Sequence, residues 1–262
     1  MTNAIEDQRP AGAPPTPAEE LFTPLLTRNA AGRGWLPELL SAAPGAQTAL
    51  GELAQQPGWL QTALAVHGAR DRLACFEYPA VPSPEWLTWM IDHPDALTVP
   101  AQQPGVSDAT RRLRAALIGD EPPGARERAQ DQAHKWIRSG SRFTAEWWRL
   151  EATGMLDAIL ITDRLVVTVL DRGSGPLQAA TPWYPQRSML VRTLEAARQA
   201  APDRAWATLL LSAQPEPDGD REAFAATLPQ AAPHLEPAER DALARAYLGE
   251  LTYAQARAIT AG

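Results

Sequence analysis

Two short apolar runs in the second half of the chain carry the clearest secondary-structure signal. LDAILIT ends at Thr162, RLVVTVLD begins at Arg164, and both runs are rich in β-branched or other large aliphatic residues. Such residues favour strands, and the polar pair Asp163-Arg164 between the runs is typical of a tight turn. The pattern therefore predicts an antiparallel hairpin.

Helical spacing of apolar residues predicts helices on both sides of this hairpin. Ser83 before PEWLTWMID predicts a capped helix with Pro84 in its first turn. Residues 107–139 predict two helices separated at GDEPPG, and TAEWWRLEA predicts a helix or a strand. MLVRTLEAARQAA and AWATLLLSA predict a helix followed by a strand. The tail, with PAERDALARAYLG and LTYAQARAI, predicts two or three short helices.

The order of these elements is helices, then β-β-α-β, then helices, which predicts an α/β fold with helical additions at both ends. Residues 1–19 are rich in Pro and Ala, a composition typical of a disordered or loosely ordered arm. Residues 20–140 form a mainly helical N-terminal region in this prediction, and residues 141–262 form the α/β core with its helical tail.

Charge and composition restrict the classes of function. The 262-residue chain has a net charge of −7 and a single lysine, Lys135. This balance does not indicate the strongly basic face typical of nucleic-acid-binding proteins. With no apolar run of about 20 residues, no secretory signal and one cysteine, Cys75, the chain is expected to be cytoplasmic and to bind no membrane. Neither a zinc-ligand spacing nor a glycine-rich phosphate loop occurs in the sequence.

One segment, residues 150–198, combines several short motifs. They are Leu150-Glu151-Ala152, Asp157-Ala158, Val169-Leu170-Asp171-Arg172, Trp183-Tyr184-Pro185-Gln186-Arg187 and Leu190-Val191-Arg192-Thr193-Leu194-Glu195-Ala196. In this order they resemble the core of PD-(D/E)XK nucleases. The resemblance implies a restriction-endonuclease-like mixed sheet flanked by helices, and an ancestral Mg²⁺-dependent hydrolysis of phosphodiesters.

The resemblance also assigns candidate site residues. Nucleases of this family bind Mg²⁺ through an Asp and a Glu, and a Lys two residues after the Glu lies on the same strand face. Asp157 takes the first acidic position, as catalytic residue and metal ligand, and Glu151 is a further catalytic candidate. Leu170 stands in the place of the Glu, and Arg172 in the place of the Lys as the third catalytic candidate. Because leucine cannot bind a cation, the resemblance implies a weakly active or inactive domain, with Mg²⁺ as cofactor if active and no cofactor otherwise.

Strand alternation predicts that Asp171 lies on the opposite face of its strand from the candidate site. Its side chain is expected to point away from Leu170 and Arg172, and it reaches the site only if a bulge shifts the register. Asp171 is therefore the second candidate metal ligand, dependent on that shift.

Four further residues are candidates for nucleic-acid binding. Arg187 and Arg192 either line a phosphate-facing cleft or pair with Glu195 and neighbouring acids. Trp183 and Tyr184 are candidates for stacking on bases, although packing of their loop against the core is favoured.

A second hypothesis is a non-catalytic protein–protein interaction or regulatory module, which would use the Trp-rich helical region to bind a protein partner.

Overall fold

The computed structural model describes residues 40, 42–46, 48–49, 72–75, 79–103, 105–119, 122–140, 147–161, 165–214 and 220–260. The predicted arm, most of the helical segment up to residue 68 and the predicted turn at Asp163-Arg164 lie outside these residues. The described strands are β1 (Arg72–Cys75), β2 (Pro79–Ala80), β3 (Gly154–Met155), β4 (Ala158–Ile161), β5 (Leu165–Asp171), β6 (Ala205–Ser212) and β7 (Tyr247–Thr252). The described helices are α1 (Pro84–Asp92), α2 (Asp108–Gly119), α3 (Ala125–Arg138), α4 (Met189–Ala200), α5 (Arg221–Ala231), α6 (Pro237–Ala246) and α7 (Tyr253–Thr260), with a short 3₁₀ helix at Pro94–Ala96.

The main sheet is mixed, with the strand order β1-β4-β5-β6-β7. β4 pairs antiparallel with both β1 and β5, whereas β5, β6 and β7 are parallel to one another. The antiparallel pairing of β4 with β5 confirms the predicted hairpin. The crossover from β5 to the parallel strand β6 passes through α4, as a parallel connection requires. Over the described residues the chain is therefore a mixed α/β structure, and a second, two-stranded sheet pairs β2 with β3.

Side chains of β5 alternate between two apolar layers. Val166 and Leu170 pack on the side of the sheet covered by α4, with residues such as Ala196 and Leu194. Val167 and Val169 pack on the other side, in a cluster that includes Leu209, Leu211, Leu251 and Ala256. Because both faces are covered, the strand reads as an almost continuous apolar run. The alternation places Leu170 on the α4 side and the next residue, Asp171, on the opposite side.

The N-terminal described helices begin and end where the sequence predicts. The Ser83 hydroxyl accepts a hydrogen bond from the Trp86 backbone N–H at 3.1 Å, which confirms the predicted cap of α1. Helix α2 ends at Gly119 and helix α3 begins at Ala125, on the two sides of the predicted GDEPPG break. The predicted helix at Met189 and the strand after it are also confirmed, as α4 and β6. Helical spacing and capping residues therefore suffice to locate these elements.

The tail contains a strand that the sequence reasoning missed. PAERDALARAYLG was predicted as one helix, but the helix ends at Ala246 and YLGELT forms β7. Gly249 has a φ of 97°, which is incompatible with helix and marks an irregularity in the β6–β7 register. Parallel pairing with β6 and burial of Tyr247 and Leu248 stabilise the strand. The short strand β1 was likewise not predicted.

Aromatic residues from the helical region and the core meet in one apolar cluster. It contains side chains of α1, α2 and α3 together with the segments at 147–150 and 183–184.

Within the part of the chain that the structure describes, no helix has the length and apolar character needed to cross a membrane.

Candidate functional site

Asp157 and Asp171 lie side by side where β4 begins and β5 ends, and are called the acid pair below. The Asp171 backbone N–H donates a hydrogen bond to Asp157 Oδ2 at 2.8 Å. Asp171 Oδ1 accepts hydrogen bonds from the Gly173 backbone N–H, at 2.9 Å, and from the hydroxyl of Tyr253. Both aspartates are half-buried. The Asp157 carboxylate therefore contacts the Asp171 backbone at the carboxyl end of β5, the edge where ligands bind in many α/β sheets.

The hairpin and the strand alternation position this pair. The register sets Ala158 opposite Val169, so the residue before β4 reaches the end of β5. Asp171 points away from α4, as predicted, and there it meets Tyr253, the first residue of α7. Burial, the hydrogen bond to Asp171 and the charges of Asp171 and Asp157 together raise the pKa of Tyr253. The tyrosine therefore stays protonated beside the acid pair at neutral pH and remains a hydrogen-bond donor.

Arg172 is used in a buried ion pair with Glu250 of β7. Its Nε and Nη2 lie 3.0 Å and 2.6 Å from Glu250 Oε1, and its Nη1 donates to the Gly175 carbonyl at 2.7 Å. The two side chains are only 4% and 6% exposed. Glu250 is paired in register with Leu210, which packs on the α4 side of the sheet together with Leu170.

The expected site is therefore divided between the two faces of the sheet. Leu170 and Arg172 share the α4 side, in agreement with the alternation, and Leu170 is part of the apolar core there. Asp157 contacts Asp171 instead, and the structure gives Arg172 the role of neutralising Glu250. Arg172 thus pairs with Glu250, an acidic partner that the resemblance did not indicate. Sequence reasoning missed both Glu250 and Tyr253, because no local pattern links them to residues about 80 positions earlier.

The motif residues between 150 and 198 form a second group, called the ionic cluster below. Its members are Glu151, Arg187, Arg192, Glu195 and His234. Arg187 Nε lies 2.8 Å from Glu151 Oε2, while its two Nη atoms lie 2.9 Å and 2.8 Å from the two carboxylate oxygens of Glu195. Arg192 Nε is 3.6 Å from Glu151 Oε1, and His234 Nε2 is 3.2 Å from Glu195 Oε1. One arginine thus joins two buried carboxylates.

The acidic and basic groups of the ionic cluster stabilise one another's charged forms. Burial by itself would raise the pKa of Glu195, but the charge and hydrogen bonds of Arg187, with those of His234, lower it to about 2. Burial by itself would lower the pKa of Arg187, but the charges and hydrogen bonds of Glu195 and Glu151 raise it above the ordinary value. The guanidinium carbon of Arg187 also lies 4.5 Å from the ring centroid of Trp86, whose indole N–H donates to Glu151 Oε2 at 2.8 Å. Such an arrangement offsets the desolvation of the charges.

This geometry corrects the predicted nucleic-acid contacts. Arg187 and Arg192 are 0% and 6% exposed, so a phosphate cannot reach them without a rearrangement of the core. Of the two alternatives, pairing with acids is the one found, although Glu195 pairs with Arg187 rather than with Arg192. Glu151, predicted as a catalytic candidate, is fully buried in the same cluster. Its carboxylate therefore balances arginine charge instead of facing solvent.

The aromatic candidates are also interior residues. Trp183 and Tyr184 are buried in the aromatic cluster, in agreement with the favoured packing role, and the Tyr184 hydroxyl donates to the Gln230 carbonyl at 2.7 Å. Most tryptophans of the predicted partner surface that the structure describes are buried or half-buried, whereas Trp136 on α3 is 41% exposed. Over the described part of this region, the tryptophans are therefore mainly core residues.

The acid pair contains carboxylate oxygens, the type of ligand that divalent cations prefer. Mg²⁺ prefers carboxylate oxygens and is commonly held by one or two carboxylates together with water. Asp157 and Asp171 supply two such groups. Over the described ranges, no group of three or more His, Cys, Asp or Glu side chains is arranged to hold a metal.

No protein family, curated protein or solved structure matches the chain. What the protein can do is therefore inferred from its own geometry. Of the three arrangements described above, the ionic cluster and the Arg172–Glu250 pair are interior. The half-buried acid pair is the arrangement among them that retains contact with solvent.

Proposed function

We propose that this chain has a restriction-endonuclease-like fold and is a catalytically inactive relative of Mg²⁺-dependent phosphodiester hydrolases that still binds a divalent cation weakly at the acid pair. The β-β-α-β order supports the fold, since an antiparallel hairpin is followed by a helical crossover to a parallel strand. The position of Asp157 before β4 and of Asp171 at the end of β5 supports the relationship.

The proposal depends mainly on which residue stands two positions after Asp171. Counted from Asp171, the Glu-x-Lys spacing reaches Gly173, which has no side chain. Arg172 is already paired with Glu250, and the single lysine, Lys135, is on α3. The acid pair thus has no lysine at the position that would stabilise negative charge on an attacked phosphate, and such stabilisation is a large part of catalysis. The proposed cation site therefore lacks the group that would support hydrolysis.

Rebuilding the motif in this register tests the proposal. In the double variant Asp171→Glu/Gly173→Lys, the new side chain at 173 has room, because an added Cβ meets no atom within 4 Å. The φ of 63° at this position costs about 1–2 kcal/mol for a residue other than glycine. We expect no cleavage of single- or double-stranded DNA or RNA by the unchanged protein with Mg²⁺ or Mn²⁺. The double variant should gain metal-dependent cleavage, and Asp157→Ala should abolish it.

The matched control places the same two residues one position earlier. Leu170→Glu/Arg172→Lys creates Glu-x-Lys on the α4 side, inside the apolar core, and should gain no cleavage. Cleavage by the unchanged protein that is lost in Asp157→Ala would refute inactivity. A folded Asp171→Glu/Gly173→Lys protein that cleaves nothing would count against the relationship to nucleases.

A further inference from the structure

Two backbone carbonyls of β7 are bonded by groups that do not belong to the sheet. β7 is the last strand in the described order of the main sheet, and an edge strand presents its backbone N–H and C=O groups to any further strand. The Leu248 carbonyl accepts a hydrogen bond from the Gly45 backbone N–H at 2.6 Å. The Tyr247 carbonyl accepts one from Arg221 Nε at 2.9 Å. The beginning of this edge strand is therefore covered.

The cover is closely fitted. A Cβ at position 45 would lie 2.5 Å from Arg221 Nε and 2.6 Å from the Tyr247 carbonyl oxygen, so only glycine allows the backbone to come this near. Arg221 Nη1 also donates to Thr48 Oγ1 at 3.3 Å, which joins the arginine to the same N-terminal segment. Gly45, Thr48 and Arg221 are called the edge guard below.

The N-terminal part of the edge guard is attached to the sheet by packing rather than by strand pairing. Leu40, Ala43 and Ala46 are buried in the apolar cluster on the side of the sheet opposite α4, which also contains Leu248. The ladders that join β4, β5, β6 and β7 are formed by these strands themselves. Residues 40–49 can therefore move away while the four strands remain paired with one another.

The sequence of β7 offers little protection of its own. Natural sheets often protect an edge with lysine or proline, which interfere with pairing by another strand. The strand reads YLGELT and contains neither residue. Its single charged residue, Glu250, is neutralised by Arg172. The edge guard is therefore the feature that keeps another strand from the beginning of β7.

We propose that the edge guard prevents β7 from pairing with β7 of a second copy of this chain, and that displacement of the guard turns β7 into a self-association surface. Identical edges can pair antiparallel about a two-fold axis, because each copy then offers the groups that the other needs. Such pairing would join two five-stranded sheets into one. The inference does not depend on the cation site proposed above.

The test is the association state of the full chain, measured by sedimentation velocity over a series of protein concentrations. Gly45→Ala places a Cβ against the Arg221 side chain and the Tyr247 carbonyl, whereas Arg221→Ala removes the bond to the same carbonyl. The unchanged protein should sediment as a monomer throughout, and each variant should shift towards twice the monomer mass as its concentration rises. Hydrogen exchange of residues 247–252 should become slower in the associated form.

Two matched controls make the same kinds of change away from β7. Gly175→Ala adds a methyl group in open space, and Arg240→Ala removes an exposed guanidinium that donates to a backbone carbonyl elsewhere. Both should associate no more than the unchanged protein. Thermal unfolding checks the fold of each variant, and Arg221→Ala serves alone if Gly45→Ala does not fold. Folded guard variants that associate no more than the controls, or that associate without slower exchange of residues 247–252, would overturn the proposal.

Discussion

Removal of the Arg187 guanidinium should destabilise the whole fold. Arg187→Ala leaves Glu151 and Glu195, whose side chains are 0% and 6% exposed, without the cation they share. Breaking a buried ion pair by removing one partner costs about 3–5 kcal/mol, because the remaining charge stays buried without compensation. Arg187 serves two carboxylates and also lies over the Trp86 ring. We therefore expect a loss of about 5 kcal/mol, a third or more of the stability of an ordinary domain.

The assay is urea denaturation at neutral pH, followed by the fluorescence of the nine tryptophans. Arg198→Ala is the matched control: its ion pair with Glu239 is 40% and 37% exposed, and exposed pairs contribute less than about 1 kcal/mol. A loss below about 1 kcal/mol for Arg187→Ala, or a loss equal to that of the control, would refute the reasoning.

Two further predictions concern neighbours of Arg187. Glu195→Gln removes a carboxylate whose pKa is lowered from 4.5 to about 2. A lowered pKa in the folded state gives stability that is complete above the ordinary value and is lost as the pH falls through the folded value. Between about pH 5 and pH 2 the unchanged protein should therefore lose about 3 kcal/mol more than the variant, and equal losses in urea denaturation would contradict this. Gly154→Ala places a Cβ 2.3 Å from Arg192 Nη2, which donates to two backbone carbonyls, and should cost about 2 kcal/mol or more. Gly175→Ala has open space and should leave the melting temperature unchanged, so a similar decrease in both variants would argue against the steric explanation.

Most elements could be predicted because their signals are local. The hairpin of β4 and β5 follows from two β-branched runs, and α1 follows from Ser83 and Pro84 at its start. Strand β7 could not be found in this way, because YLGELT continues the apolar spacing of the helix before it. Pairing with β6 and the positive φ of Gly249 favour a strand over continuation of the helix. Such tertiary control of short apolar segments is a general limit of local patterns.

The candidate site was predicted only in part, for a related reason. Alternation along β5 correctly separated Leu170 from Asp171, since successive strand side chains point to opposite faces. It did not show which of the two faces Asp157 would join. That depends on the bend before β4, where the chain leaves the regular strand.

By itself, the sequence determined most of the described helices, the hairpin of β4 and β5, and the side of the sheet on which each β5 residue lies. All of these depend on neighbours a few positions apart, through period, propensity and capping. Only the tertiary structure decided the partners of the charges. Arg172 is neutralised by Glu250, 78 positions later, and Arg187 by Glu151 and Glu195, with His234 beside them. The physical reason is that a charge can remain in the interior only next to its compensating partner, and the packing of distant segments decides which partner that is.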